Sequence, residues 1–377
     1  MSPVYVLAAG GTGGHLFPAE AVARLLVAGG GAVHLLTDRR ADAFAAAVPG
    51  VTIDRVRAGR FGGGPLHAAY GFAELAIGMI QARRLLRRLT PAAVVGFGGY
   101  PSVPTMLAAS QLGLPTLIHE QNAVFGRANR LLAPRVRRIA TGFAETAALR
   151  PADLARAVHT GNPVRPAILA VGAVGYAPPE PGGPIELLVT GGSQGARIFS
   201  EIVPPAVAAL PAELRQRLRV SQQARPEDCA AVAAQYEALG IAADVESFFD
   251  DMPARLQRAH LVVCRAGAST VAELAAAGRP AILVPYPHAM DDHQSANANA
   301  LAGAGGGWAI PQTEFAADTL AARLAALFAE PARLAQSAAA ARRFARDDAA
   351  ARLAALVLEL ASGNGGTLRS PGLERAA

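Results

Sequence analysis

The sequence predicts an α/β chain built of two doubly wound, Rossmann-like domains facing a central cleft. Three observations carry this. Short β-branched or apolar runs alternate with Ala-, Leu- and Arg-rich stretches of helical pattern, the arrangement of βαβ units around a parallel sheet. Val6-Leu7-Ala8-Ala9-Gly10-Gly11-Thr12-Gly13-Gly14-His15 and Leu187-Leu188-Val189-Thr190-Gly191-Gly192-Ser193-Gln194-Gly195-Ala196-Arg197 each run strand, glycine turn, helix, so the second half echoes the first. At 377 residues the chain is also about two to three times the usual size of one domain.

In the first half, strand candidates begin near Val4, Val33, Val51, Ala93, Thr116 and Arg138; after residue 180 they begin again near Glu186, Leu218, Asp244, Leu261 and Ala281. Between the two sets lie Thr160-Gly161-Asn162-Pro163-Val164-Arg165-Pro166 and a Pro/Gly-rich segment from Ala177 to Pro184, a linker composition. The expected domains are therefore 1–163 and 164–340. A long helical pattern runs from Pro331 to Ala361; residues 341–362 are expected to leave the second domain and pack on the first, with 363–377 as a flexible tail.

With 52% hydrophobic and 17% charged residues and a mean hydropathy of +0.27, the chain has ample material for buried cores, which excludes global disorder. The charge sum is 35 − 29 = +6, and because the sequence contains no lysine every one of those cations is arginine. A basic excess suits anionic partners such as phosphates or acidic lipids, while 5% aromatics argues against the stacking platforms of a single-strand nucleic-acid binder. Cys229 and Cys264 make neither a disulfide framework nor a metal-like pair, which fits a reducing compartment. The first arginine is Arg24, so the amino terminus lacks the basic region of a signal peptide. The uncharged stretch Pro91 to His119 is interrupted by Gly96, Gly98, Gly99, Pro101, Pro104, Gly113 and Pro115, and reads as strand, loop, helix, strand rather than a membrane span.

Three glycine turns follow strand candidates: Gly10 to Gly14, Gly96 to Tyr100 and Gly191 to Gly195. Glycine lets backbone N–H groups approach a phosphate, and the following helix dipole favours its charge. No Walker loop exists in a chain without lysine, and a dinucleotide fingerprint would need a ribose-binding acid for which Asp38 is the nearest candidate, so NTP hydrolysis and nicotinamide chemistry are disfavoured. His15 follows the first turn with the pKa range of a general base. His119-Glu120-Gln121-Asn122 sets four polar groups after an apolar strand. Glu273, in the first turns of the helix after Cys264, suits a carboxylate accepting from ribose hydroxyls, although a surface acid favoured by the helix dipole has the same signature. His288, Asp291, Asp292 and His293 sit in a polar loop; they suit sugar binding and helix starting better than a metal.

Taken in order, residues 10–19 (Gly-Gly-Thr-Gly-Gly-His-Leu-Phe-Pro-Ala), 96–100 (Gly-Phe-Gly-Gly-Tyr), 119–122, 161–165 (Gly-Asn-Pro-Val-Arg), 191–197, 264–273 and 285–297 closely resemble the MurG family of bacterial cell-wall N-acetylglucosaminyltransferases. The resemblance spans nearly the whole chain. It implies a GT-B fold, UDP-N-acetylglucosamine as donor, and undecaprenyl-pyrophosphoryl-N-acetylmuramyl-pentapeptide (lipid I) as acceptor, giving lipid II at the cytoplasmic face of the membrane. No metal and no cofactor are implied. The donor set carried over is Thr12, Gly13, Gly14, Asn122, Arg165, Ser193, the backbone at Phe249, Ala268, Ser269, Thr270, Val271, Ala272, Glu273 and Gln294; Gly98, Gly99 and Tyr100 fall to the acceptor. The implied α-to-β inversion calls for one base, with His15 first and Glu120 or His119 second. His293 precedes Gln294 where some members carry paired glutamines, which leaves the sugar contacts of that loop open. A UDP-N-acetylglucosamine 2-epimerase shares the architecture and is the alternative enzyme; a non-catalytic nucleotide-sugar-binding scaffold is the alternative of another class.

Reaching a lipid acceptor needs a membrane surface. From Tyr70 to Leu89, steps of about 100° put Phe72, Leu75, Met79, Ala82, Leu86 and Leu89 on one expected core face. The opposite arc carries Arg83, Arg84, Arg87 and Arg88 with Ile77 and Ile80, a mixture suited to anionic headgroups and shallow insertion, though a solvated basic helix has the same pattern.

Overall fold

A computed structural model describes residues 2–10, 13–37, 48–59, 64–192 and 196–363. The first sheet holds β1 (Val4–Ala8), β2 (Ala32–Thr37), β3 (Val51–Arg55), β4 (Ala93–Gly96), β5 (Thr116–Glu120), β6 (Arg138–Thr141) and β7 (Ala157–His159), in the order β3-β2-β1-β4-β5-β6-β7. The second holds β8 (Ile185–Thr190), β9 (Leu218–Gln223), β10 (Ala242–Glu246), β11 (Leu261–Cys264), β12 (Ala281–Leu283) and β13 (Gly307–Ala309), in the order β10-β9-β8-β11-β12-β13. Every pairing is parallel. The sequence does not foretell β7 and β13, because a three-residue edge strand is too short for a pattern to register.

Helices cover both faces of each sheet, so the central strands are buried throughout: every residue of β4, β5 and β11 lies in the interior. Strand order reverses between β1 and β4 and again between β8 and β11, and at these switch points the crevice for a ligand opens beyond the carboxyl ends of the strands. The turn after β1 comes so close to the one after β4 that a Cβ on Gly10 would stand 2.2 Å from Pro101 Cγ, which only glycine avoids.

The helical pattern from Pro331 to Ala361 is two helices, Pro331–Phe344 and Ala349–Ala361, rather than one. Ala345 is extended, and Asp347 takes the Arg342 guanidinium at 3.0 and 2.7 Å, fixing the break. The first helix buries Leu334 and Ala341 in the cores of the second sheet. The second lays Leu353, Leu356 and Val357 beside Tyr5, Leu7 and Leu35 of the first. Residues 345–348 and 160–165 are thus the two places where the chain crosses between the sheets. Ala123 and Phe143, from the loops after β5 and β6, enter the core of the second sheet.

The helix Pro65–Leu89 corrects one expectation. Phe72, assigned to the core stripe, is 63% exposed. Gly71 and Gly78 set the contact face instead: a Cβ on Gly78 would lie 1.9 Å from the Arg57 carbonyl, and one on Gly59 would lie 2.0 Å from the Gly71 carbonyl. Ala82 and Leu86 continue that buried face, which rotates Phe72 to its edge. Among the described residues no helix is long and apolar enough to cross a membrane.

Candidate active site

A cleft of about 950 Å³ opens between the carboxyl ends of the two sheets. Its walls include Gly14, His15, Asn122, Arg165, Phe249, Ala268, Ser269, Thr270, Glu273 and Gln294 from the expected set. Thr12 and Ser193 lie outside the described residues, as does Asp38. The helix Gly13–Ala28 and the helix Ala268–Ala277 present their N-termini to this one cleft from opposite sides, and the latter has no side-chain cap on its first amides. Two positive helix poles, the second with no side-chain cap, give the gap between them the electrostatics to hold an anion such as a diphosphate.

Six consecutive residues of a helix cannot share a face. Ala268, Ser269, Thr270 and Glu273 line the cleft, whereas Val271 and Ala272 turn to a separate cavity of about 210 Å³ behind the crossing segments. Of the expected donor set, these two therefore stand away from the cleft wall. Gly13 opens the helix that carries Gly14 and His15 to the cleft. Glu273 accepts from Arg165 Nε at 2.9 Å; burial pushes its carboxyl pKa up and the arginine opposes that shift. Arg165 also stands 5.6 Å from the ring centre of Phe17, a cation–π contact from the second half to the first. Phe249 is buried with its ring 3.8 Å from the Arg255 guanidinium, so it offers the cleft its backbone, while its neighbour Phe248 offers a side chain that is 61% exposed. Gln294 Oε1 accepts from the amides of Ala266 and Tyr286 at 3.3 and 3.0 Å, which leaves its Nε2 to donate into the cleft.

His15 is half-buried, with its ring flat against Gly98 and Gly99, where a Cβ would come within 3.2 and 3.3 Å of it. Both glycines have positive φ, 86° and 73°, so the backbone that backs the ring is one other residues resist. Gly98 and Gly99 thus support the histidine rather than line the cleft, and Tyr100 stands half-buried just beyond them, near Arg127. Burial lowers the His15 pKa below its ordinary value, partly opposed by the charge of Glu120 and by the hydrogen bond to Gln121. The ring is therefore neutral at neutral pH and able to take a proton.

Neither second-choice base reaches the cleft. His119 has no exposed surface, its Nε2 lies 3.3 Å from the Gly161 carbonyl, and burial brings its pKa down to about 4. Glu120 is 2% exposed, with both oxygens engaged: Oε1 accepts from the Asn122 amide at 3.0 Å, and Oε2 from the Gly126 amide and Asn129 Nδ2 at 2.8 Å each. It clamps the loop after β5. Asn297, fully buried, pins the same loop to the second half: its Oδ1 accepts from the Ala123 amide at 2.7 Å and its Nδ2 donates to Asn122 Oδ1 at 3.1 Å. Arg127 and Arg130 close on Asp291 at 2.8 and 2.5 Å across the same gap. Asp291 and Asp292 have φ of 53° and 52°, a strained stretch immediately before His293 and Gln294. Asp291 is engaged by those arginines, Asp292 by Ser295 and His293 Nδ1 by the Met290 carbonyl, so protein contacts organise this loop.

Arg265, Gln121 and Asn297 fall within the sequence motifs but carry no individual role there. Arg265 lines the cleft and donates to the carbonyls of Val284 and Pro285 and to Gln312 Oε1 at 3.1, 3.0 and 2.7 Å, a cation with no carboxylate among these partners. Its position directly after β11, at a switch point, was the available signal.

Comparison with known proteins agrees with this geometry. The glycosyltransferase family 28 N-terminal domain matches residues 5–141 and the C-terminal domain of the same family matches residues 186–353. The UDP-N-acetylglucosamine–N-acetylmuramyl-(pentapeptide) pyrophosphoryl-undecaprenol N-acetylglucosamine transferase of Rhodospirillum centenum is 60% identical over 341 residues, 90% of each chain. The crystal structure of MurG from Acinetobacter baumannii superposes with a TM-score of 0.78 at 31% identity, covering 95% of this chain and 99% of that one. A putative UDP-N-acetylglucosamine 2-epimerase from Listeria monocytogenes covers 95% of this chain and 96% of its own with a TM-score of 0.64, but at 13% identity it shares the fold alone, and the epimerase alternative is not favoured. With both domains matched and more than half of its residues shared with a transferase of this kind, the chain belongs to glycosyltransferase family 28, in its MurG branch.

Proposed function

We infer that this chain moves N-acetylglucosamine from UDP-N-acetylglucosamine to the 4-hydroxyl of the N-acetylmuramyl group of lipid I, forming lipid II with inversion at the anomeric carbon. The observation that carries the chemistry is His15 at the rim of a cleft flanked by two opposed helix N-termini. His15 Nε2 takes the proton of the acceptor hydroxyl as its oxygen attacks the anomeric carbon from the face opposite the diphosphate. The bond from that carbon to the diphosphate oxygen breaks, and the electron pair leaves with UDP. The growing charge is met by preorganised N–H groups, the helix poles and the Arg265 guanidinium. Glu273 holds the ribose hydroxyls, the backbone at Phe249 meets the uracil, and Gln294 Nε2 reads the sugar. Residues 1–163 serve as the acceptor and membrane-associated domain and 164–340 as the donor domain, with the helix in 341–362 returned to the first. Incubation with UDP-N-acetylglucosamine and a short-chain lipid I analogue is expected to release UDP in step with a β-linked disaccharide; conversion of the donor sugar without acceptor, or no turnover by folded protein, would overturn the assignment.

We further propose that the chain works as a peripheral protein at the cytoplasmic face of the membrane, held by the helix Pro65–Leu89. Its outer face gathers Tyr70, Ile77 and Ile80, at 68%, 38% and 53% exposure, with Arg84, Arg87 and Arg88. Arg83 sits at the flank and donates to Gln111 at 3.3 Å. Each arginine near an anionic surface contributes about 1 kcal/mol. Replacing Arg83, Arg84, Arg87 and Arg88 by glutamine is therefore expected to weaken binding to phosphatidylglycerol-containing vesicles by roughly two orders of magnitude or more, while turnover of a soluble acceptor is retained. Unchanged vesicle binding would place the contact elsewhere.

A further inference from the structure

Gln121 is buried beneath the cleft, between the two histidines of the site. Its Nε2 lies 2.9 Å from the Phe97 carbonyl oxygen, which can only accept, so that atom of the amide is the donor. The same Nε2 is 3.1 Å from His119 Nδ1. The other end of the amide, Oε1, is an acceptor and lies 3.1 Å from His15 Nδ1. Gln121 Nε2 also lies 3.2 Å from the His119 carbonyl, so its two hydrogens serve three acceptors. One direction agrees with these contacts: His15 Nδ1–H donates to Gln121 Oε1, Gln121 Nε2–H donates toward His119, and His119 Nε2–H donates to the Gly161 carbonyl. We propose that Gln121, oriented by Phe97 and His119, is a positioning residue that holds the proton of neutral His15 on Nδ1 and so leaves Nε2 as the basic nitrogen of the site.

The chain begins at the proposed base and ends at Gly161, in one of the two crossing segments, and Asn162 Nδ2 donates to the Gln121 carbonyl at 2.8 Å. The residue that fixes the tautomer is therefore itself tied to that crossing segment. His119 supplies the directional stop. Its burial keeps it neutral well below neutral pH, so its Nδ1 remains an acceptor and the amide does not turn over. Were His119 protonated, its Nδ1 would donate, the amide would present its NH₂ group to His15, and the His15 proton would move to Nε2. Other charges facing His15 are Glu120 from β5, which favours the imidazolium, and His293 from the helix His293–Gly303, which opposes it. Neither makes a hydrogen bond to the ring; the Phe97 backbone does, as a lesser partner beside Gln121.

The inference rests on His15 as base, and the two fail separately. In the intact protein with ¹⁵N-labelled histidine, the ring nitrogens of His15 are expected to report an Nδ1–H tautomer; an Nε2–H tautomer in the wild type overturns the proposal without any variant. Gln121→Leu is expected to populate the Nε2–H form and to lower kcat by roughly a hundredfold, with the donor KM within about twofold. Gln121→Glu restores an acceptor facing Nδ1, so it is expected to recover Nδ1–H and part of kcat. Its negative charge favours the imidazolium, so the acid limb of the rate profile moves to higher pH. Equal losses in the two variants with an unmoved pH profile and an unchanged His15 tautomer would reduce Gln121 to packing. Full turnover by His15→Asn would instead remove the base assignment, whatever the tautomer.

Discussion

His15→Asn is expected to lower kcat by about 10²- to 10⁴-fold, the range that a positioned general base contributes, with the donor KM little changed. Asparagine keeps a polar group within reach of Gln121 and stays small enough for the Gly98–Gly99 backing, so loss of folding is not the expected cause. The pH profile separates the chemistry from packing. The ring acts when deprotonated, and burial lowers its pKa, so activity is full above the ordinary histidine range and declines only as pH falls through the depressed value. In His15→Asn that acid limb should vanish and the residual rate should be flat across it. A variant within about fivefold of wild type would return the proton to solvent or to the acceptor's own groups.

The features legible in the sequence were those encoded locally. A strand, a glycine turn and a helix lie within about fifteen residues of one another, so both switch points, His15 and the helix at 268–277 stand out from the pattern alone. What escaped was set by partners far along the chain. The four polar groups at 119–122 mark a site, but their division of labour depends on Gly161, Asn129 and Asn297, which make His119 a buried link, Glu120 a loop clamp and Asn122 a cleft residue. The helix Pro65–Leu89 misled for a different reason. A hydrophobic stripe ignores glycine, yet Gly71 and Gly78 permit the closest backbone approach and so decide which side is inward. Arg265 was marked only by its place directly after β11, since the carbonyls that aim it belong to the next strand's turn.

Arg279→Met is expected to destabilise the second half by about 3–5 kcal/mol, since a buried group stripped of its partner costs about 1–3 kcal/mol each. Arg279 is 1% exposed and its partners are all main-chain carbonyls: Leu256 and Gln257 at 2.5 and 3.1 Å, Ala277 and Gly278 at 3.0 and 3.2 Å, and Gly175 at 3.0 Å. These carbonyls close the helices Met252–Arg258, Ala268–Ala277 and Pro166–Val174, so three negative helix poles converge on one guanidinium. Burial lowers its pKa to about 10, which still leaves it charged at neutral pH, and the Tyr176 ring centre 5.5 Å away shields one side. The helix Ala268–Ala277 is one of the three, so the residue that anchors its far end also fixes where its N-terminus meets the cleft. Arg279→Lys is expected to lose most of the same stability, because an ammonium has three donors and no planar fork to span five acceptors. Urea unfolding followed by the fluorescence of Trp308, in the second sheet, reads the effect directly. A loss below about 1 kcal/mol in both variants would mean that the three helix ends find other donors and that the convergence does not hold this half together.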